Sequence, residues 1–270
     1  MDGVSRLAVL GAGKLGEALL SGLLRAGRTA DEVVVVVRRP ERAKHLEERY
    51  GVRAVAVAEA AAAEVLLITV KPQDIDTLIT ELAPHVRPES LVVSLAAGIP
   101  TAYFAKRLAG GVPVVRVMTN TPVLVDEAMS AISAGAYAQE RHLALTEALL
   151  EPVGKVVRVP ESQQDAVTAL SGSGPAYFYY LVEAMIDAGI LLGIPRTVAA
   201  DLLVQTALGA AVMLRDAGEH PVKLREAVTS PAGTTINAIR ELENHGVRAA
   251  LLDAIEAARD RSAELGRLHE

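Results

Sequence analysis

Leu7-Ala8-Val9-Leu10-Gly11-Ala12-Gly13-Lys14-Leu15-Gly16 is the stretch on which the fold is read. Four apolar residues run into the spacing G-x-G-x-x-G, and Glu17–Leu24 then continues with an apolar pattern of helical period. Strand, glycine turn and helix in that order open a dinucleotide-binding βαβ unit. Gly11 permits the tight turn, Gly13 lets the backbone approach a pyrophosphate, and Gly16 lets the helix lie close on the strand. The helix start offers unpaired N–H groups and the positive end of the helix dipole to phosphates.

Outward from this turn, Val33–Val37 is an unbroken valine run. Such a run predicts a strand buried on both faces of a parallel sheet. It ends at Arg38-Arg39-Pro40, where an NAD site carries an acid for the ribose 2′-hydroxyl. Arginines there suit a 2′-phosphate, so the expected cofactor is NADPH, with NADH as the second choice. Further strands are expected at Val65–Val70, Leu91–Leu95, Val114–Met118, Met129–Ser133 and Lys155–Val159. Helices are expected between them at 41–50, 75–82, 102–108 and 140–150. The alternation predicts an α/β, doubly wound sheet. The turns at Gly11, Arg38, Lys71, Gly98 and Asn120 follow five of the strands, and ligands of such sheets bind beyond the carboxyl ends.

From Glu161 no strand-like run remains. Helices are expected near 163–170, 175–192, 196–217, 222–228, 234–244 and 247–265, giving a dinucleotide-binding domain over 1–160 and an all-helical one over 161–270. The stretches Ala176–Ile194 and Val198–Leu214 are apolar on most faces, yet carry Glu183, Asp187, Asp201 and Gln205. Burial against a second copy of the chain fits them better than a bilayer, so a homodimer at least is expected.

Composition narrows the function. The 270 residues are 51% apolar, with a formal charge of −6 and no cysteine. Nucleic-acid and membrane partners are therefore not expected, thiolate chemistry is excluded, and nothing resembles a leader peptide, which gives a cytoplasmic expectation. The six histidines lack ligand spacing, so no metal is expected.

Two small-residue clusters lie in the helical half. Thr168-Ala169-Leu170-Ser171-Gly172-Ser173-Gly174-Pro175 reads as a glycine-rich break before a helix. Thr229-Ser230-Pro231-Ala232-Gly233-Thr234-Thr235 carries an N-cap signature with four hydroxyls, where a cap needs one. Free N–H groups and a helix dipole at such a turn suit a carboxylate.

Taken together, Gly11–Gly16, Val70-Lys71-Pro72, Ser94–Gly98, Arg116–Pro122, Leu170–Ala176 and Val228–Thr235 resemble the pyrroline-5-carboxylate reductase family over nearly the whole chain. The most specific segments are S-G-S-G-P-A and T-S-P-A-G-T-T. The resemblance implies a Rossmann domain followed by a helical dimerisation domain, dimers that often form larger rings, and reduction of the cyclic imine 1-pyrroline-5-carboxylate to L-proline by NADPH, sometimes NADH. It implies that Gly11, Ala12, Gly13, Lys14, Leu15 and Gly16 hold the pyrophosphate. Arg38 and Arg39 would meet the 2′-phosphate, Val70, Lys71 and Pro72 would line the cofactor groove, and Ala97, Gly98 and Asn120 would lie beside the nicotinamide end. Ser230, Gly233, Thr234 and Thr235 would bind the substrate carboxylate, with the Thr168 hydroxyl near the imine nitrogen. The chain departs from the family at Ala232, Asp126 and Ala128, where glycines are frequent, and at Thr119, where proline is. Two other readings stay open: a β-hydroxyacid dehydrogenase, disfavoured because no lysine lies between Lys155 and Lys223, and a non-catalytic dinucleotide-binding protein.

Overall fold

A computed structural model describes residues 6–267. The described residues divide into two compact units, 6–173 with 258–267 and 174–257.

The first unit is built on one eight-stranded sheet in the order β3-β2-β1-β4-β5-β6-β7-β8. The strands are β1 (Leu7–Leu10), β2 (Val33–Val36), β3 (Arg53–Ala54), β4 (Val65–Ile68), β5 (Leu91–Ser94), β6 (Val114–Met118), β7 (Ala128–Ala134) and β8 (Gly154–Arg158). β1 to β6 are mutually parallel. β7 is antiparallel to β6, and β8 is parallel to β7. The strand order reverses between β1 and β4, which opens a crevice at their carboxyl ends.

The helices of this unit are α1 (Lys14–Arg25), α2 (Pro40–Tyr50), α3 (Val57–Ala60), α4 (Ile75–Leu82), α5 (Thr101–Arg107), α6 (Glu140–Leu150) and α7 (Gln164–Val167). Alternation along the strands feeds two cores. Leu7 and Val9 pack with Leu19, Leu20 and Leu23 of α1, while Ala8 and Leu10 pack with Ile75 and Ile79 of α4 and with Phe104 of α5. The five turns after β1, β2, β4, β5 and β6 share one sheet edge, as read from the sequence.

Two expectations need correction. β2 is not buried on both faces: Val33 and Val35 are fully buried, but Val34 and Val36 are partly exposed. The cause is its place near the sheet edge, where only the two-residue β3 lies outside it. The glycine-rich break expected before Pro175 is confined to Ser173, because the helix expected near 163–170 runs on through a widened π turn, Thr168–Gly172, in which the N–H of Ser173 donates to the carbonyl of Thr168 (2.8 Å). Helix bonding thus continues from α7 through Gly172, and the next helix starts at Gly174.

Residues 161–173 pack with the sheet. Gln164, fully buried, donates through Nε2 to the Ser133 hydroxyl (2.7 Å), and Glu161 accepts from the Thr101 N–H (2.7 Å) and hydroxyl (2.6 Å) at the start of α5.

The second unit comprises α8 (Gly174–Leu191), α9 (Arg196–Asp216), α10 (Pro221–Ala227), α11 (Thr234–Asn244) and the first turns of α12 (Val247–Arg267). α8 and α9 pack as a pair, with Gly189 letting the methyl of Ala199 approach. Large apolar side chains remain exposed on this single chain, among them Tyr180, Leu191, Val204 and Leu208. α9 is long and apolar enough to cross a bilayer by length and composition.

Candidate functional site

The crevice between β1 and β4 is a groove of about 610 Å³, the size range of small-molecule and cofactor sites. Gly11, Ala12 and Gly13 line it, with Arg38, Arg39 and Arg42 from the end of β2 and the start of α2, and Val70, Lys71, Asp74 and Glu81 from beyond β4.

The glycine turn is built as its spacing requires. Gly11 has φ +91°, and its N–H donates to Val36 (2.8 Å) at the end of β2. A Cβ there would lie 2.4 Å from the Val70 side chain and 2.9 Å from its backbone nitrogen. A Cβ on Gly16 would lie 2.5 Å from the Thr69 hydroxyl, which itself donates to Gly11 (3.1 Å). Gly13 is the N-cap of α1, and no side chain caps that helix. Its first N–H groups are therefore free for an anion, and the turn fits a dinucleotide pyrophosphate.

Residues that spacing alone does not reveal hold the turn. Arg42, one turn into α2, donates from Nε to the Ala12 carbonyl (2.9 Å) and from Nη2 to the Gly13 carbonyl (3.2 Å). The same Nη2 meets Glu17 Oε2 at 2.5 Å. Glu17 also accepts from the Tyr50 hydroxyl (3.0 Å). Burial pushes the Glu17 carboxyl up, but the hydrogen bonds from Arg42, Tyr50 and His45 outweigh it and hold the group below its usual range. Arg38 extends from the end of β2 into a two-bond fork with Asp74, at 2.8 and 3.0 Å. A cation at Arg42 was visible in the sequence, three residues beyond Arg39, but its targets 29 and 30 residues away were not.

Of the remaining residues expected at the cofactor, Val70 and Lys71 line the groove, whereas Lys14, Leu15, Gly16, Pro72, Ala97, Gly98 and Asn120 do not. Pro72 instead opens the turn into α4. Gly98, with φ +75°, packs against Leu265 and Gly266 at the end of α12. Asn120, after β6, donates to the carbonyl of Ser171 (3.1 Å) and accepts from the N–H of Met129 (3.0 Å). The π turn carrying Thr168 is thus tied to the end of β6, and a Cβ on Gly172 would strike Met118. Thr168 donates its hydroxyl proton to the Gln164 carbonyl (2.8 Å).

In the helical unit, Ser230, Gly233, Thr234 and Thr235 gather at the start of α11. The N-cap there is Gly233, and no hydroxyl caps the helix, although the sequence carries an N-cap signature. The reason is the turn before it: Ala232 sits at φ +58°, and the Gly233 N–H closes on the Ser230 carbonyl (3.1 Å), so the backbone forms the corner unaided. Thr229 bonds back to Arg225 (2.6 Å), whereas the hydroxyls of Ser230, Thr234 and Thr235 make no hydrogen bond among the described residues. No cluster of three or more metal-ligating side chains occurs among the described residues; His269 lies outside them.

Comparison with known proteins agrees with this arrangement. Residues 161–265 match the family described as pyrroline-5-carboxylate reductase dimerisation, and residues 6–98 match one described as NADP oxidoreductase, coenzyme F420-dependent. The chain is 44% identical to the pyrroline-5-carboxylate reductase of Mycobacterium tuberculosis, with 97% of each chain covered. It is also 44% identical to that of Corynebacterium melassecola, covering 98% of this chain and all of the relative. Its structure matches a pyrroline-5-carboxylate reductase from Coxiella burnetii with a TM-score of 0.92 at 33% identity, covering 97% of this chain and 99% of that one. The pyrroline carboxylate reductase of Plasmodium falciparum, solved with NADP bound, shares the fold with a TM-score of 0.86 at 24% identity, covering 98% and 99%. The glycine turn, the uncapped start of α1 and full-length identity above 40% agree, and the chain belongs to the pyrroline-5-carboxylate reductase family, oxidoreductases that reduce 1-pyrroline-5-carboxylate to L-proline with NAD(P)H.

Proposed function

We propose that the groove over β1 and β4 holds the adenosine diphosphate part of NAD(P)H, and that the cluster opening α11 holds the substrate carboxylate. The bare glycine turn carries this reading: a Cβ at Gly11 or Gly16 would strike Val70 or Thr69, so the turn lies tight on the sheet and leaves the uncapped start of α1 open to an anion. Gly11 to Gly16 hold the pyrophosphate, with the N–H groups that open α1 facing it, and Arg38 and Arg39 favour NADPH over NADH through the 2′-phosphate. Val70 and Lys71 line the groove, Pro72 follows them at the start of the turn into α4, and Ala97, Gly98 and Asn120 border the nicotinamide end.

Bound NAD(P)H supplies the hydride. The protein's own task is positioning. Ser230, Thr234 and Thr235 offer three unpartnered hydroxyls, and Gly233 and the first turn of α11 offer N–H groups, a donor set suited to a carboxylate. Thr168 has committed its proton to Gln164, so its oxygen is left as an acceptor for the N–H of a protonated imine. No histidine or carboxylate is required as a general acid if the imine binds protonated.

Residues 161–270 form the substrate and dimerisation half in this reading, and 1–160 the cofactor half. The apolar faces of α8 and α9 lie within the dimerisation match, which favours a second copy of the chain over a membrane, in a cytoplasmic homodimer or a larger ring. Neither α8 nor α9 offers a lysine for hydroxyacid chemistry.

Steady-state kinetics with 1-pyrroline-5-carboxylate and NADPH or NADH test the assignment. Thr235→Ala is expected to raise KM for the imine, and Thr168→Ala to lower kcat. Both variants behaving as the parent enzyme would overturn these roles.

A further inference from the structure

Six charged side chains line the groove: Arg38, Arg39, Arg42, Lys71, Asp74 and Glu81. Arg42 is occupied by Glu17 and by two carbonyls of the glycine turn. Arg39 and Lys71 have no ion-pair partner among the described residues. Arg38 is different, because a single acid holds it and no backbone group of the turn does. Asp74 lies in the turn between β4 and α4, and both its oxygens accept from the two terminal nitrogens of Arg38.

The end of β2 lacks the acid typical of an NAD site, and the fold brings one to Arg38 from 36 residues away. Asp74 sits at the N-cap position of α4, but its side chain makes no bond to the start of that helix. The Arg38 side chain is 81% exposed against 26% for Asp74, and so exposed a pair contributes little to folding stability. It is therefore free to exchange partners when another anion arrives.

We propose that Asp74 sets coenzyme preference by competing with the 2′-phosphate of NADPH for Arg38. This inference rests on the reading above that Arg38 meets that phosphate. A 2′-phosphate and a carboxylate offer Arg38 the same bidentate geometry. Taking the phosphate requires Arg38 to leave Asp74 or share it, with the carboxylate charge left close to the phosphate. NADH carries no such group and leaves the pair intact. Asp74 thus narrows the advantage that two arginines would otherwise give NADPH and keeps NADH usable.

The test is equilibrium binding to the full-length protein, read by coenzyme fluorescence, for NADPH and NADH, with adenosine 2′,5′-bisphosphate as a competing probe. Asp74→Asn keeps the shape and removes the charge. It is expected to tighten NADPH and the bisphosphate by about fivefold at low salt, and to leave NADH within about twofold. The gain is expected to shrink at high salt. Arg38→Ala is expected to weaken NADPH and not NADH. If Arg38→Ala weakens NADPH but Asp74→Asn leaves it unchanged or weaker, the role of Asp74 is overturned and the coenzyme reading survives. If Arg38→Ala leaves NADPH binding unchanged, the coenzyme reading fails and this inference with it.

Discussion

The guanidinium of Arg42 clasps the carboxylate of Glu17 at 2.5 Å while holding the carbonyls of Ala12 and Gly13, so the first helix, the second helix and the glycine turn are tied at one point. With these carbonyls held back by a cation, the N–H groups at the start of α1 are left to the anion. Arg42→Ala is expected to weaken NADPH binding about tenfold and to cost about 2 kcal/mol of stability, the scale of lost hydrogen bonds to a charged group. Arg42→Lys is expected to recover the stability only in part, because a point charge cannot reproduce the fork. Fluorescence titration and urea unfolding check both.

Glu17 also sets a pH dependence. Its carboxyl is held below the ordinary 4.5 by hydrogen bonds that overcome the effect of burial. A group depressed on folding contributes stability that is complete above its unfolded pKa and is lost as pH falls through the folded value. The urea midpoint is therefore expected to fall below about pH 4.5, and Glu17→Gln to flatten that acid limb while lowering stability at neutral pH. A midpoint series at constant protein concentration reads it.

Ala232 and Asp126 are the non-glycine residues with positive φ among the described residues, at 58° and 61°. Asp tolerates this conformation, and Asp126 also pairs with Arg25 at 2.5 Å, whereas Ala232 has no such compensation. Ala232→Gly is expected to raise stability by about 0.5–1 kcal/mol, the left-handed strain removed less the entropy glycine adds to the unfolded chain. Asp126→Gly is expected to be neutral or destabilising. Urea unfolding of the two variants separates them.

Gly11 combines positive φ with a backbone neighbour that cannot yield, since an added Cβ would lie 2.9 Å from the Val70 nitrogen. Gly11→Ala is expected to destabilise the protein by about 2–3 kcal/mol and to abolish measurable coenzyme binding. Circular dichroism and fluorescence titration read the two effects.

Val204 and Leu208 lie one turn apart on α9 and are 60% and 56% exposed on the single chain. Leu208→Glu places a charge where a partner chain is expected, and is expected to weaken association about a hundredfold or more. Sedimentation velocity shows the shift in mass, and unchanged helical circular dichroism distinguishes it from unfolding.

The sequence by itself determined the βαβ opening, the five turns along one sheet edge, the all-helical second half and the hydroxyl cluster before α11. Those features rest on local physics: a strand-like apolar run, glycine at fixed spacing, and the 3.6-residue period. Tertiary structure decided which distant side chains finish the site. Arg42 reaches Ala12, Asp74 reaches Arg38, and Glu161 closes the start of α5 from 60 residues away. Local pattern carries no record of such pairs, because they depend on which turns the sheet order brings side by side. The same holds for Ala232, whose residue type gives no sign of the left-handed backbone that the corner before α11 imposes on it.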